Sequence, residues 1–340
     1  MNQLASFTLG TRLACIVATS FVIGAAPAKP ISQHGYNTGH FALEIDGVVV
    51  GWVTGVEGGN LTSDVVSEKL GDDNLLKKTT GKTKYQEISL KCGTGMSRQL
   101  YDWIKADCAG SHVRHSGAII SCDLLYKPTQ RLEFTNGVLS ELSFPTLDSA
   151  SKDAAHMTVH ISPERAVFKE LKGQAALKSP MGPLKKWLPS NFRVTLPGTD
   201  CTKVNKVESI VIRQKVVESS TGEVKGFEKG ASVVEPDLVI TLAESSAADF
   251  YTWRQTTVVK GNGAQGDKIG RVEFLDSSLQ NVLFTLNFYH LGIFKIAAEK
   301  TGVGADAIKR AKAEMYCERI DFDFSSGAVA SRRAKARPGS

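Results

Sequence analysis

The sequence lacks the short motifs that mark the common catalytic and nucleotide-binding sites. It contains no Gly-x-Ser-x-Gly, no His-Glu-x-x-His, no Walker-type phosphate loop and no Cys-x-x-Cys pair. These absences argue against a nucleophile elbow, a zinc protease, a phosphate-binding loop and a zinc ion held by paired cysteines. We therefore expect a non-enzymatic protein with no catalytic residue, no cofactor, no metal ion and no small-molecule substrate.

Long apolar runs are also scarce, and the one that stands out lies near the N-terminus. Arg12 precedes apolar residues 13–25, a run too short to span a bilayer. Residues 26–28 then show the small-x-small pattern of a cleavage site. Residues 1–28 are therefore predicted to be a signal peptide that exports the protein to the periplasm or beyond the cell. The alternative is a start codon upstream of the true one, with assembly into a particle in the cytoplasm.

Charge of either sign is modest. The formal net charge is +6 over 340 residues, and basic residues near the C-terminus contribute much of it. A chain of this length exceeds what one hydrophobic core usually supports, so we expect two domains. Their expected bounds are 38–168 and 190–325, with an exposed linker at 169–189 and a basic, disordered tail at 326–340.

The main positive signal is an internal repeat with a period of about 150 residues. Residues 41–47 alternate apolar and polar side chains and end on a glycine, as a half-buried strand before a turn would. Residues 192–198 show the same pattern. A second pair of short strands is predicted at 88–90 and 238–240.

Each of these second strands is followed by a helical pattern. The helices are predicted at 97–104 and 246–253, and both begin with a serine that suits an N-cap. In each helix an apolar residue lies three positions before a tryptophan, so the two share one helix face. A tryptophan of this kind is either a ligand platform or a core anchor. The anchor interpretation is preferred for both helices, and the residues concerned are Leu100, Trp103, Phe250 and Trp253.

Further correspondences extend the repeat toward the end of each copy. They match 123–125 with 273–275, 132–134 with 282–284, and Phe144 with Phe294. The first copy closes with a strand at 157–161. The second is expected to insert a helix at 305–315 before its closing strand at 320–324. The predicted fold is therefore mainly β, with two tandem small β-barrel or sandwich domains, each carrying one flanking helix.

The first copy resembles the T4-type phage tail-tube family. The resemblance rests on residues 41–47, 52–58, 77–85 and 88–93 and on Trp103, which follow the order and residue types of that family. It implies a barrel-like sandwich with one flanking helix. It also implies subunits that form six-membered rings around a hollow lumen and stack into the inner tube of a phage tail or contractile injection system. The second copy lacks the Gly-Lys-x-Lys-Tyr run of residues 81–85 and is more diverged.

Two domains in one chain change the expected ring. Six positions would be filled by three chains, so we expect a homo-oligomeric trimer with pseudo-sixfold symmetry. The tube would have sheath and baseplate proteins as partners, and DNA or protein cargo only as contents of its lumen. Two other interpretations remain open: an exported binding or surface protein that reuses the fold without forming a tube, and a hydrolase within the second copy.

Polar hairpins are the predicted elements of ring stacking. One spans residues 61–84 and the other spans 215–229, and charged side chains on each would contact the next ring. The alternative is a solvated surface hairpin with no partner. The charged residues of the first hairpin are Asp64, Glu68, Lys69, Asp72, Asp73, Lys77, Lys78, Lys82 and Lys84, and those of the second are Lys215, Glu223, Lys225 and Lys229.

Overall fold

A computed structural model describes most of the chain between residues 39 and 325, and the statements below concern those residues. The described ranges are 39–70, 75–177, 187–214, 218–219, 226–227, 233–259, 266–299 and 309–325. They belong to one compact unit. The predicted signal peptide and basic tail lie outside them. Within these ranges no helix combines the length and apolar character needed to cross a membrane.

The first half of the chain forms ten strands and one helix. Alternating side chains produce the strands: in residues 157–162, for example, every second residue is buried. The helix α1 is Arg98–Cys108. The strands are β1 His40–Ile45, β2 Val48–Gly58, β3 Leu61–Leu70, β4 Leu75–Tyr85, β5 Ile88–Cys92, β6 His115–Cys122, β7 Pro128–Phe144, β8 Leu147–Asp148, β9 Met157–Ser162 and β10 Arg165–Glu170.

Six of these strands close into a barrel. The pairing runs β1–β2–β5–β9–β7–β6 and returns to β1, always antiparallel. Each of these six strands therefore pairs with two others of the ring. The long strand β7 also carries β10 along its first half, outside the closed ring of strands.

The second half of the chain forms eleven strands and one short helix. The helix α2 is Ala248–Arg254 and continues into a π-helical turn, Gln255–Val259. The strands are β11 Phe192–Thr195, β12 Val204–Val207, β13 Ile210–Gln214, β14 Glu218–Ser219, β15 Gly226–Phe227, β16 Val233–Val234, β17 Leu238–Ala243, β18 Lys268–Leu275, β19 Val282–Ala298, β20 Arg310–Tyr316 and β21 Arg319–Phe324.

The second barrel follows the strand order of the first. Its pairing runs β12–β17–β20–β19–β18–β11, and β21 lies on the first half of β19 as β10 lies on β7. Among the described residues β11 does not pair with β12, so this barrel is nearly closed. The predicted class, mainly β with two barrel-like domains and one flanking helix each, is confirmed.

The two barrels exchange strands. Strand β13 of the second half pairs with residues 141–144 of β7 in the first barrel, and Ile210 lies opposite Phe144. In the other direction, β8 of the first half pairs with β12 of the second. The sheets therefore continue from one half of the chain into the other.

Several expectations are wrong in detail. The part of the predicted 305–315 helix that is described is strand β20, in which Ala311, Ala313 and Met315 alternate into the core. Residues 123–125 form a turn, because the Asp123 carboxylate accepts hydrogen bonds from the backbone amides of Leu125 and Lys127.

The register of the repeat also differs from the expected one. Strands β7 and β19 both have 17 residues and correspond from end to end, so Phe144 corresponds to Ala298 and not to Phe294. For the same reason residues 132–134 correspond to 286–288 instead of 282–284. The segment expected to be an exposed linker carries a buried side chain, Trp187, whose ring packs edge-on against Phe274.

Candidate assembly site

A two-stranded hairpin extends from the first barrel. It consists of β3 and β4, which pair with each other and with no other strand among the described residues. Gly58 and Gly59 set the exit of the chain from the barrel, with φ angles of +88° and +74°. A side chain at Gly58 would overlap the carbonyl oxygen of Glu87. This position therefore requires glycine.

Most of the hairpin side chains that the structure describes are exposed, including apolar ones. Leu61, Val65, Val66 and Leu76 are all exposed, and Leu61 is 60% accessible. A two-stranded hairpin with no packed face is marginal in water. Clustered exposed apolar side chains on such an element are typical of a surface that another protein covers.

The structure shows where the predicted stacking residues lie. Asp64, Glu68, Lys69, Lys77 and Lys78 are exposed on β3 and β4. Glu68 lies opposite Lys77 across the strands, and the Lys84 ammonium is 3.0 Å from the Asp64 carboxylate. Lys82 is part of β4. The remaining residues lie outside the described ranges: Asp72, Asp73, Lys215, Glu223, Lys225 and Lys229.

The four predicted anchor residues are all buried. Leu100 and Trp103 of α1 lie in the first barrel, and Phe250 and Trp253 of α2 lie in the second. Each indole donates a hydrogen bond to a backbone carbonyl that follows its helix: Trp103 to Val113 and Trp253 to Gly266, both at 2.9 Å. The two helices are thus held to their barrels in the same way.

An aromatic cluster that the repeat pattern does not predict joins the two barrels. Tyr101 of α1 is fully buried against second-barrel rings, with centroid distances of 5.3 Å to Phe284 and 5.2 Å to Phe324. Phe322 is also fully buried and lies 6.3 Å from Tyr101. Beside the cluster, the Lys105 ammonium is 2.5 Å from the Asp323 carboxylate. The signal that could have revealed it is the density of phenylalanine at 284–288 and 322–324.

Residues 37–166 match the model of a protein family described as T4-like virus tail tube protein gp19. The first barrel is the part of the chain that this family model covers, and it is called the tail-tube domain below. The match spans the closed barrel, the hairpin β3–β4 and helix α1, and it ends at the start of β10. A comparison with curated protein sequences gives no match.

Three solved structures are similar to part of this chain. The sheath–tube complex of an extracellular contractile injection system, PVC, shares 17% identity over 38% of this chain and 88% of that chain, with a TM-score of 0.34. The PVC sheath/tube terminator shares 18% sequence identity over 42% of this chain and 99% of that chain, with a TM-score of 0.33. Hcp1 from Flavobacterium johnsoniae shares 13% sequence identity over 39% of this chain and 95% of that chain, with a TM-score of 0.28.

A buried carboxyl group lies where the tail-tube domain meets β13. Asp107, near the end of α1, is 7% exposed, and its Oδ1 atom has no hydrogen-bond partner. The His112 Nδ1 atom is 3.9 Å from this oxygen and also lies 3.0 Å from the side-chain oxygen of Gln214 in β13. Burial raises the pKa of Asp107 from 3.8 to about 6, although Gln214 and His112 oppose this shift.

This raised pKa predicts a pH-dependent stability. The folded chain holds the Asp107 proton more tightly than the unfolded chain does, so the contribution is complete below pH 4 and is lost as pH rises through about 6. We expect Asp107→Asn, which keeps the shape and removes the charge, to stabilise the chain by about 1–3 kcal/mol at pH 8. At pH 4 the gain should disappear. Urea unfolding of both proteins at the two pH values measures it, and an equal effect at both would contradict the assignment.

The described residues contain no cluster of three or more histidine, cysteine or acidic side chains placed to hold a metal ion. The first barrel instead exposes apolar side chains on the hairpin β3–β4 and on the outer strand β10, where Phe168 is 43% exposed.

Proposed function

We propose that the chain is a structural subunit of a hollow tube of the phage-tail or contractile-injection type, built from stacked rings. The observation that carries this proposal is the family match of residues 37–166. The geometry supports it, because the hairpin β3–β4 leaves the barrel with its apolar side chains exposed and uncovered. A structural role of this kind uses no catalytic residue and no cofactor.

The second barrel is proposed to be a diverged second copy of the tail-tube domain. Its support is the common strand order, the outer strand on the first half of the long strand, and the identical hydrogen bonding of Trp103 and Trp253. One chain would then supply two neighbouring ring positions. Three chains would complete a ring with pseudo-sixfold symmetry, and a closed ring stops lateral growth.

Stacking is proposed to use the hairpins. Strand β3 runs for ten residues, so the hairpin reaches roughly 30 Å from its base at about 3.3 Å per residue. This length suffices to contact an adjacent ring. The proposed partners are therefore further copies of the chain, with sheath and baseplate proteins outside the tube and DNA or protein cargo within it.

Electron microscopy of the purified chain, combined with mass photometry, tests the proposal. We expect hollow rings or tubes whose masses are multiples of three 36.7 kDa chains. Rings of six chains would contradict the stoichiometry but keep the tube. A monomer at every concentration would contradict the tube itself, and would favour a binding protein that retains only the fold.

A further inference from the structure

The contact between the two barrels inside the chain joins unlike surfaces. The first barrel contributes helix α1 and the edge of β7 at residues 141–144, here called the head surface. The second barrel contributes the outer strand β21 and the hairpin strand β13, here called the tail surface. Because both barrels have the same strand order, each should own one head and one tail surface. Among the described residues, the head of the second barrel and the tail of the first make no such contact.

The unused head surface is centred on Tyr251. The tryptophans Trp103 and Trp253 align α1 with α2, so Tyr251 takes the position of Tyr101. Tyr101 is fully buried against the tail surface of the second barrel. Tyr251 is 41% exposed. The same aromatic residue is therefore covered on one helix and uncovered on the other.

The unused tail surface is centred on Phe168. Arg165 and Arg319 begin the two outer strands, and Phe168 and Phe322 are the fourth residues of each. The pairing registers agree, since Phe168 lies opposite Leu132 of β7 and Phe322 opposite Leu286 of β19. Phe322 is fully buried against Tyr101, whereas Phe168 is 43% exposed.

The hairpin strands give a third correspondence. Val56 and Val207 lie opposite equivalent residues of β5 and β17, which aligns Leu61 with Ile212 five residues later. Ile212 is 4% exposed because β13 pairs with the edge of β7, with Leu142 opposite. Leu61 is 60% exposed.

The strand edge that would match Leu61 is also uncovered. Along residues 292–298 β19 pairs only with β20 among the described residues, whereas the equivalent part of β7 pairs on both edges. Unpaired backbone amides and carbonyls on such an edge favour addition of another strand. The residue equivalent to Leu142 on this edge is Ile296.

We propose that a second copy of the chain occupies these surfaces, with the contact inside the chain as the template. Tyr251 and the β19 edge of one chain bind Phe168 and strand β3 of the next, which places Leu61 opposite Ile296. Each contact would bury aromatic and apolar side chains that are now in water and would pair two open strand edges. A contact between unlike surfaces generates a ring or an open filament. Closure into a three-chain ring rests on the proposed function.

Mixing two variants that cannot assemble on their own tests this head-to-tail contact. Tyr251→Asp removes the head of the second barrel and leaves the tail of the first intact, and Phe168→Asp does the reverse. Both sites are exposed, so we expect far-ultraviolet circular dichroism and melting to match the unaltered chain. Each variant alone should sediment as a monomer. An equimolar mixture should form one head-to-tail junction and stop at two chains.

The outcomes separate this inference from the tube proposal. A two-chain species in the mixture, with monomers of each variant alone, supports the interface. A mixture that remains monomeric, or rings that persist in either variant, overturns it, even if the unaltered chain forms tubes. Three-chain rings that never stack would instead keep the interface and contradict the tube. Leu124→Asp, at an apolar residue that is 72% exposed and lies outside both surfaces, is the control and should leave the rings intact.

Discussion

A chain in which residues 66–79 are replaced by Asn-Gly is expected to form rings but no tubes. Val65 and Thr80 lie opposite each other on β3 and β4, so a two-residue turn can join them without changing the register at the base of the hairpin. Residues 61–65 remain to pair with the next chain in the ring. The deleted part carries Val66, Leu76 and most of the exposed charges of the hairpin, and its strands pair with no other strand among the described residues.

The measurement is electron microscopy with sedimentation of the shortened chain beside the full chain. A milder version, Lys77→Glu with Lys78→Glu, places negative charge where positive charge lies exposed on β4. It should shorten the tubes and make their length depend on salt, because exposed charges are screened at high ionic strength. Lys77→Arg with Lys78→Arg keeps the charge and should assemble normally. Tubes of unchanged length from the shortened chain would show that stacking uses another surface.

Local pattern was enough to predict much of the fold. Alternation identified strands such as β1, β5 and β9, and an apolar stripe identified both helices. These elements bury one face against a sheet, so their periodicity records their environment directly. The predicted serine caps are wrong in detail: Ser97 precedes α1 without a side-chain capping hydrogen bond, and the residue before α2 is Ala247 instead of Ser246.

The wrong helix prediction at β20 also arose from local pattern. The residues that β20 buries, Ala311, Ala313 and Met315, are weak strand formers. Alanine-rich sequence favours a helix unless pairing with neighbouring strands overrides that preference.

The contact between the barrels could not be predicted in this way. Strand β13 pairs with β7 across a sequence separation of more than 60 residues, and no local signal fixes such a partner. Tyr101 and Tyr251 occupy the same place in their helices, yet one is buried and the other exposed. This difference in burial arises because the second barrel lies beside α1, and the local sequence of a helix does not predict which domain packs against it.

The two equivalent phenylalanines provide the sharpest stability prediction. Phe322 is fully buried, and its ring lies 6.2 Å from Phe144 in the first barrel and 5.7 Å from Phe284 in the second. Phe322→Ala would leave a cavity between the barrels and should lower the free energy of unfolding by about 3–5 kcal/mol. Phe168→Ala, at an exposed site on β10, should change it by less than about 0.5 kcal/mol in the unassembled chain.

Urea unfolding at protein concentrations too low for assembly measures both effects. An unchanged dependence of the unfolding free energy on urea concentration would show that each variant exposes the same surface area on unfolding. In the assembly assay the order should reverse, because Phe168 contacts the next chain whereas Phe322 contacts its own. Phe168→Ala is therefore expected to weaken ring formation without weakening the fold. If both alanine variants destabilised the isolated chain equally, Phe168 would be a core residue, and the correspondence between the inner and outer contacts would fail. If Phe168→Ala affected neither property, the next chain would bind elsewhere.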